Sequence, residues 1–326
     1  MDKNAVCFVT GGSGYIGRNL LRRLQKEGCK ANALVRSEAS AEVVRALGAT
    51  PVMGDITTPT PLNDAMQGAD LLFHLAADTS HGRVTPLQQK ANQEGTRAVF
   101  AAAKAAGVSR ALHLSTEAVL LSGAPLKNAN ETKPYPDKFA GGYSKSKALA
   151  EQAALASMET GFEVVVMRPR FVWGGDDTTA LPALIEAAQS GKLAWIDGGQ
   201  YLTSTTHIEN VVHGMVLTME KGRAGEVYFI TDGAALPFRD FVSRLLATQK
   251  IDVPQKQVPR WLVRTAVELG ELASGLTGGR LSGPMSKQEY ATLGVEVSLD
   301  IAKARKDLGY APVVSVDEGM DALVIN

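Results

Sequence analysis

The chain has 326 residues, 45% of them hydrophobic, and its 34 lysines and arginines balance its 34 aspartates and glutamates. That length accommodates one large α/β domain with a smaller lobe, and the net charge of zero provides no basic field for nucleic acid. No run approaches the ~18 apolar residues of a membrane span, and the apolar stretch at 5–10 is too short for the core of a signal peptide. The expected setting is the cytoplasm, where Cys7 and Cys29 are free buried thiols. His74, His113, His207 and His213 fall in separate elements and are expected to be structural, so no metal site is expected.

In chain order, a strand over 5–10 runs into Gly11-Gly12-Ser13-Gly14-Tyr15-Ile16-Gly17, and residues 18–25 continue with helical periodicity. Strand, glycine turn and helix is the order that a dinucleotide site needs. Gly11 permits the tight turn, Gly14 lets the backbone approach a pyrophosphate, and Gly17 allows the helix to pack on the strand. The helix N-terminus then faces the phosphates. Further strands are predicted over 31–35, 50–53, 71–75, 111–115 and 163–167, with helices over 41–47, 87–106 and 143–160. Gly28, Gly48, Gly68, Gly107 and Gly161 each close a helix just before a strand.

This alternation predicts an α/β fold, a Rossmann-type doubly wound parallel sheet with a smaller C-terminal substrate-binding lobe. Beyond Arg168-Pro169 the rhythm becomes irregular, with a loop-rich region from Gly174, a helix over 207–220, a strand over 226–230 and mostly helix from Phe238 onward. The expected division is a nucleotide-binding domain over 1–169, to which 206–233 return, and a lobe over 170–205 and 234–326.

Tyr143 and Lys147 stand four residues apart at the start of a predicted helix, which puts a proton donor and a cation on one face. A phenol ionises near pH ~10 and needs a neighbouring positive charge to serve as an acid-base group. Alone, the pair is also consistent with a solvated amphipathic helix. Downstream of a nucleotide-binding turn, it suggests proton transfer at an alcohol or ketone oxygen coupled to hydride transfer on a nicotinamide.

Together, the glycine turn, His74-Leu75-Ala76-Ala77, Asn92 with Gly95-Thr96, Leu114-Ser115-Thr116, Tyr143-Ser144-Lys145-Ser146-Lys147 and Arg168-Pro169 resemble the extended short-chain dehydrogenase/reductase superfamily, the NAD-dependent epimerase/dehydratase family. The stretch Thr206 to Gly214 and the later stretch Leu299 to Tyr310 resemble its 3β-hydroxysteroid dehydrogenase and dihydroflavonol reductase-like branches. The resemblance implies that Tyr143 is the general acid or base and that Lys147 lowers its pKa and holds the nicotinamide ribose. It implies that Thr116 bonds the reacting oxygen, with Ser115 as its rival and a strand-terminal cap as its plainer role. Asn92 is implied to support the active-site helix or a water relay; a solvated position in a long helix is the alternative. Cofactor contacts are implied for Gly11, Gly14, Tyr15, Ile16, Gly17, Arg36, Asp55, Ile56, Ala76, Ala77, Tyr143, Lys147 and Pro169. The same likeness suggests a homodimer through the helices over 87–106 and 143–160.

NADP is expected over NAD, because Arg36 and Ser37 follow the second strand where NAD sites place a carboxylate. Asp55 would accept from the adenine amino group. The dehydratases of the superfamily carry an acidic pair after the threonine, whereas Glu117 is followed here by Ala118, which disfavours dehydration. Leu120-Leu121 replace the usual tyrosine and either line an apolar site or belong to the core. Phe171, Val172, Trp173, Leu181, Trp195, Ile196 and Tyr201 suggest an apolar substrate, with a core role as the alternative. Asp78, Thr79 and His81 are further candidates for meeting it. The expected enzyme is a ketone reductase or alcohol dehydrogenase for a steroid- or flavonoid-like compound; the alternatives are an NAD-dependent sugar-nucleotide epimerase and a non-catalytic nucleotide-sensing regulator.

Overall fold

The structure, a computed structural model, describes residues 1–57, 62–78, 90–277 and 283–325. Its first strand, β1 (Val6–Thr10), leads through the glycine turn into α1 (Tyr15–Lys26), whose Leu20, Leu21 and Leu24 are fully buried while Arg22 and Arg23 point outward. Next come β2 (Lys30–Val35), α2 (Glu38–Ala46), β3 (Thr50–Met53), the short α3 (Leu62–Ala65) and β4 (Leu71–His74). A π-helical turn at Lys90–Glu94 opens into α4 (Gly95–Ala105), followed by β5 (Arg110–Leu114), a 3-10 turn at Glu117–Leu120 and β6 (Leu126–Ala129). The helix α5 (Gly142–Ala156) then precedes β7 (Glu163–Pro169). Only part of the helix expected over 87–106 lies within the described residues, and its opening is π rather than α.

The remaining elements are β8 (Val172–Trp173), α6 (Ala180–Gln189), β9 (Trp195–Ile196), β10 (Leu202–Thr203), β11 (Thr206–His207), α7 (Ile208–Lys221), β12 (Val227–Ile230) and β13 (Leu236–Pro237). They continue with α8 (Phe238–Ala247), β14 (Gln257–Val258), α9 (Arg260–Leu276), α10 (Lys287–Leu293), β15 (Val297–Leu299), α11 (Ala302–Leu308) and α12 (Val316–Leu323).

Seven strands form one parallel sheet in the order β12-β7-β5-β4-β1-β2-β3. Its central strands are apolar almost throughout, as a sheet covered on both faces requires. The order reverses direction at β1 and β4, so their carboxyl ends open the crevice in which such sheets bind ligands. Gly28, Gly48, Gly68 and Gly107 have positive φ, from 75° to 80°, and end helices ahead of strands as expected, whereas Gly161, at 88°, lies five residues beyond the end of α5 in a tight turn closed by Glu159 and Phe162.

Two features depart from the sequence-based expectation. The loop-rich region after Gly174 contains α6, and β6, unforeseen, joins a four-stranded sheet in the order β13-β10-β15-β6. These strands have two to four residues, too few for an alternating pattern to emerge. Residues of both looser motifs tie the C-terminal stretch to the rest. Asn210 bonds the backbone of Val313 and Val314, and the Tyr310 hydroxyl donates to Thr231 O at 2.9 Å.

Candidate active site

The glycine turn is shaped by close approach. Gly11 has φ +74°, and a Cβ there would stand 2.8 Å from Ala76 N; a Cβ on Gly17 would stand 2.1 Å from Gly11 O. Neither position tolerates a side chain. Gly14 is extended and caps α1, leaving the N–H groups of Tyr15, Ile16 and Gly17 in the first turn, where an anion is favoured. The Tyr15 ring itself is buried in the core, with its phenol pushed up by burial. Ala76 N donates to Thr10 Oγ1 at 3.2 Å, holding the β4 loop against the turn. These residues fit a dinucleotide: a phosphate-facing helix end, and a glycine turn and an alanine-lined loop that leave its backbone open.

At the edge of that site the geometry is mixed. Arg36, 80% exposed, lies just beyond β2 and reaches Asp55 Oδ2 at 3.9 Å. Asp55 Oδ1 accepts from Thr57 N and Oγ1, both at 2.7 Å; burial opposes its ionisation, but Thr57 and Arg36 together hold it below the usual carboxylate range. Ile56 packs on Gly95. Ser37 is the N-cap of α2, accepting from Ser40 N at 3.3 Å, so its hydroxyl serves the helix rather than a phosphate.

Thr116 sits beyond β5 and Tyr143 at the start of α5, where the Thr116 hydroxyl is close enough to favour the ionised phenol. Thr116 also accepts from Ala118 N at 3.2 Å, capping the 3-10 turn, which is the plainer of the two roles expected of it. Its hydroxyl donates to Glu117 Oε2 at 2.7 Å. Ser115 is committed elsewhere: it donates to the buried Glu151. Of the two rivals, Thr116 is thus the one beside Tyr143.

Lys147 is buried one turn after Tyr143 and donates to Leu114 O at 2.9 Å. Burial lowers its pKa to about 8, against the opposing pull of Glu151. Tyr143 behaves differently from the expectation of a phenol eased by lysine. Its pKa is raised, first by burial and next by the Glu117 carboxylate, with the Thr116 hydrogen bond pulling the other way.

Asn92 lies in the π turn, 1% exposed, which removes the solvated reading. Its amide accepts from Asp78 N at 2.7 Å and donates to Asp78 O and Ser146 Oγ, both at 3.0 Å, joining the β4 loop to α5. Ser146 in turn donates to Tyr143 O. Beneath this, His74 bridges Thr10 and Thr96 at 2.8 and 2.9 Å and stacks on His113. Burial and the Lys147 charge hold both imidazoles neutral, His74 down to about 3.

Several residues left open between a substrate pocket and the core belong to the interior. Leu120 and Leu121 are buried in the main core. Trp173, Leu181 and Trp195 form a separate cluster with Phe238 and Phe241, against which Phe171 and Tyr201 pack, and Ile196 lies in the main core. Thr79 and His81 lie outside the described residues. The sequence reading missed Glu151 and Arg170. Glu151 follows Tyr143 and Lys147 at the same four-residue interval, a signal that was available; Arg170 meets Glu117 across 53 residues, which no local pattern reveals.

Known proteins of similar sequence and structure place this geometry. A ketoreductase of Stigmatella aurantiaca named for 4-hydroxy-2-methyl-3-oxo-4-farnesyl-3,4-dihydroquinoline-1-oxide is 46% identical over 97% of this chain and 95% of its own. The decarboxylating sterol-4-alpha-carboxylate 3-dehydrogenase of Bos taurus is 30% identical over 98% of this chain and 91% of its own. A dTDP-glucose 4,6-dehydratase from Streptomyces venezuelae, solved with NAD bound, shares the fold at a TM-score of 0.76 with 24% identity, covering 98% of this chain and 95% of that one. Residues 8–260 match the profile of the 3-beta hydroxysteroid dehydrogenase/isomerase family, and the chain is a member of that family, an NAD(P)-dependent oxidoreductase.

Proposed function

We propose that the protein is an NADP(H)-dependent reductase of a hydrophobic cyclic ketone, with Tyr143 as proton donor. The observation that carries this reading is the meeting of Tyr143, Thr116 and Lys147 at the carboxyl end of β5, beside the glycine turn. A bound nicotinamide would supply the hydride. Gly11, Gly14, Tyr15, Ile16 and Gly17 would hold the pyrophosphate through backbone groups; Asp55, Ile56, Ala76, Ala77 and Pro169 would border the nucleotide. Lys147 holds a positive charge below the site, Thr116 orients the reacting oxygen, and Asn92 positions α5 through Ser146 without touching the reactants.

The relatives' names support a ketone or secondary alcohol on a fused-ring or prenylated skeleton. Arg36, exposed beyond β2, supports NADP. A shallow groove between α4 and α5, lined by Arg97, Ala101, Lys104, Leu149, Ala153 and Ala156, supports a homodimer through these two helices. The substrate lobe is assigned to 170–205 and 234–326, where the smaller aromatic cluster lies.

The test is turnover of a ketone panel containing a steroid 3-ketone and a farnesylated 3-oxoquinoline N-oxide, each with NADPH and NADH. Reduction with freely exchanging NADPH is expected. A tightly retained NAD with sugar-nucleotide turnover, or cofactor binding without turnover of any ketone, would replace the reading by epimerase or by nucleotide sensor.

A further inference from the structure

The helix that carries Tyr143 begins without a cap of its own. Gly141 stands in the N-cap position of α5 and has no side chain with which to accept a first-turn N–H. Lys145 N makes the first bond of the helix, to Gly141 O at 3.1 Å. The Ser144 N–H, one residue earlier, therefore needs an acceptor from outside the helix. It finds Gln288 Oε1 at 3.2 Å, and the Ser144 hydroxyl donates to the same oxygen at 2.9 Å. Ser144 is the third residue of α5, where an N-cap side chain ordinarily satisfies the N–H.

Gln288, itself buried, fills the room that such a side chain would need. A Cβ on Gly141 would stand 2.8 Å from Gln288 Cβ and 2.9 Å from its Oε1. The Gly141 backbone is extended, with φ −168°, so this approach and not the dihedral excludes a serine or aspartate there. The helix of Gln288, α10, is held at both ends. Ser286 closes a capping box with Glu289 at its start. Beyond Gln288, Thr292 O accepts from Arg170 Nη2 at 2.6 Å, Leu293 O from the Tyr201 hydroxyl and Gly294 O from Arg260. Tyr201 stacks on Phe238 of the smaller aromatic cluster, and Arg260 lies over the Tyr201 ring. α10 thus runs from the lobe assigned above to the first turn of α5.

We propose that Gln288 is the N-cap of α5, supplied by the substrate lobe from 144 residues away, and that it is a positioning residue for Tyr143. This rests on the reductase reading above. Two glycines precede Tyr143, and glycine restrains the backbone least, so the chain ahead of the phenol has little stiffness of its own. Its place is fixed from the other side, by two neighbours in the helix. Ser146 donates to Tyr143 O at 3.0 Å and is bonded by Asn92, which ties that turn to the β4 loop. Ser144 is bonded by Gln288, which ties it to α10. The lobe that receives the substrate thereby also sets the group that protonates it.

Amide hydrogen exchange of the full chain, read residue by residue by NMR, tests the cap. In the wild type the Ser144 N–H should be protected to within about tenfold of the Lys145 N–H, whose acceptor lies inside the helix. Exchange at the rate of an open amide overturns the proposal without recourse to any variant. Gln288→Met keeps the size and loses the acceptor, and should speed Ser144 exchange about tenfold, the usual effect of a lost cap. Gln288→Glu keeps an acceptor, and a carboxylate is favoured at a helix N-terminus, so protection should return. If Glu fares no better than Met, the packing of α10 and not the acceptor holds the helix, and the proposal falls. In reduction, Gln288→Met should lower kcat about ten- to hundredfold and Gln288→Glu should restore it, with NADPH affinity within about twofold in both because the glycine turn is untouched. A loss of cofactor affinity equal to the loss in kcat overturns the positioning role. Absence of ketone turnover in the wild type would instead remove the reductase reading and leave the exchange results standing.

Discussion

Two buried arginine–glutamate pairs flank the candidate site, and they are built alike but finished differently. Arg168 and Arg170 are two residues apart at the end of β7, and each draws in a carboxylate from another element. Glu151, from α5, accepts from Arg168 Nε at 2.9 Å and from Arg168 Nη2, from Tyr135 Oη at 2.6 Å and from Ser115. A carboxylate has about four lone-pair sites, so this one is saturated. Glu117 is bonded by Arg170 and by Thr116. The first pair is closed on itself and acts as scaffold. The second leaves its carboxylate beside Tyr143, whose pKa it raises, so the same ionic chemistry serves geometry in one place and the field at a candidate acid-base group in the other.

The contrast is meaningful only if Tyr143 is the group that the second pair serves. Tyr143→Phe is expected to lose on the order of 10²–10⁴ in turnover while cofactor affinity stays within a few-fold, the usual share of positioned proton transfer. Steady-state reduction and a cofactor titration check both halves. Near-normal turnover would remove Tyr143 as the proton donor, and with it the reason to contrast the two pairs.

The scaffold pair makes a different claim, about stability. Glu151→Gln leaves the Arg168 charge buried without a carboxylate, which costs about 3–5 kcal/mol when one partner of such a pair is removed. Denaturant unfolding should show that loss. A loss below about 1 kcal/mol would mean that the pair is solvated in solution and that Glu151 is no more structural than a surface residue.

How much of this was legible depended on the range of the interaction. The parallel sheet was readable because each of its core strands is a short apolar run closed off by a glycine-ended helix, a pattern contained within a few residues. The turn at Gly11 to Gly17 was readable for the same reason. Thr116, Tyr143 and Lys147 were located by motif, but the charge that bears most on Tyr143 was not, since Glu117 sits next in sequence to Thr116 while its anchor Arg170 lies just beyond β7. Trp173 and Trp195 were left open between pocket and core. An aromatic residue in an irregular stretch looks the same whether it lines a pocket or packs on Phe238 and Phe241, and only the three-dimensional neighbours decide.

Lys147 sharpens the comparison from the other side, because Glu151 favours its charge yet does not overcome burial. Its pKa is lowered to about 8 from 10.5. Between these values the unfolded chain binds the proton that the folded chain has released, so stability contributed at this site rises with pH across that window. Relative to Lys147→Met, the wild type should gain about 3 kcal/mol on passing from below pH 8 to above 10.5. Unfolding free energies of both proteins across the window test this. A constant difference would mean that Lys147 is hydrated rather than sealed by the scaffold pair.

The smallest expected effect belongs to a third arginine–carboxylate pair, one that lies in water. Arg36 is 80% exposed and stands 3.9 Å from Asp55, and an exposed pair of this kind contributes about 0–1 kcal/mol. Unlike Arg168 and Arg170, Arg36 can therefore exchange its partner at little cost. A 2′-phosphate offers a stronger one, a charge-assisted hydrogen bond worth roughly 1.5–3 kcal/mol. Arg36→Asp should accordingly weaken NADPH binding by about ten- to hundredfold and shift preference towards NADH, since the new carboxylate repels phosphate and accepts from free ribose hydroxyls. Titrations of both nucleotides against both proteins measure the ratio. If it does not move, Arg36 is a solvated residue paired loosely with Asp55, and the preference for NADP loses its support at this position.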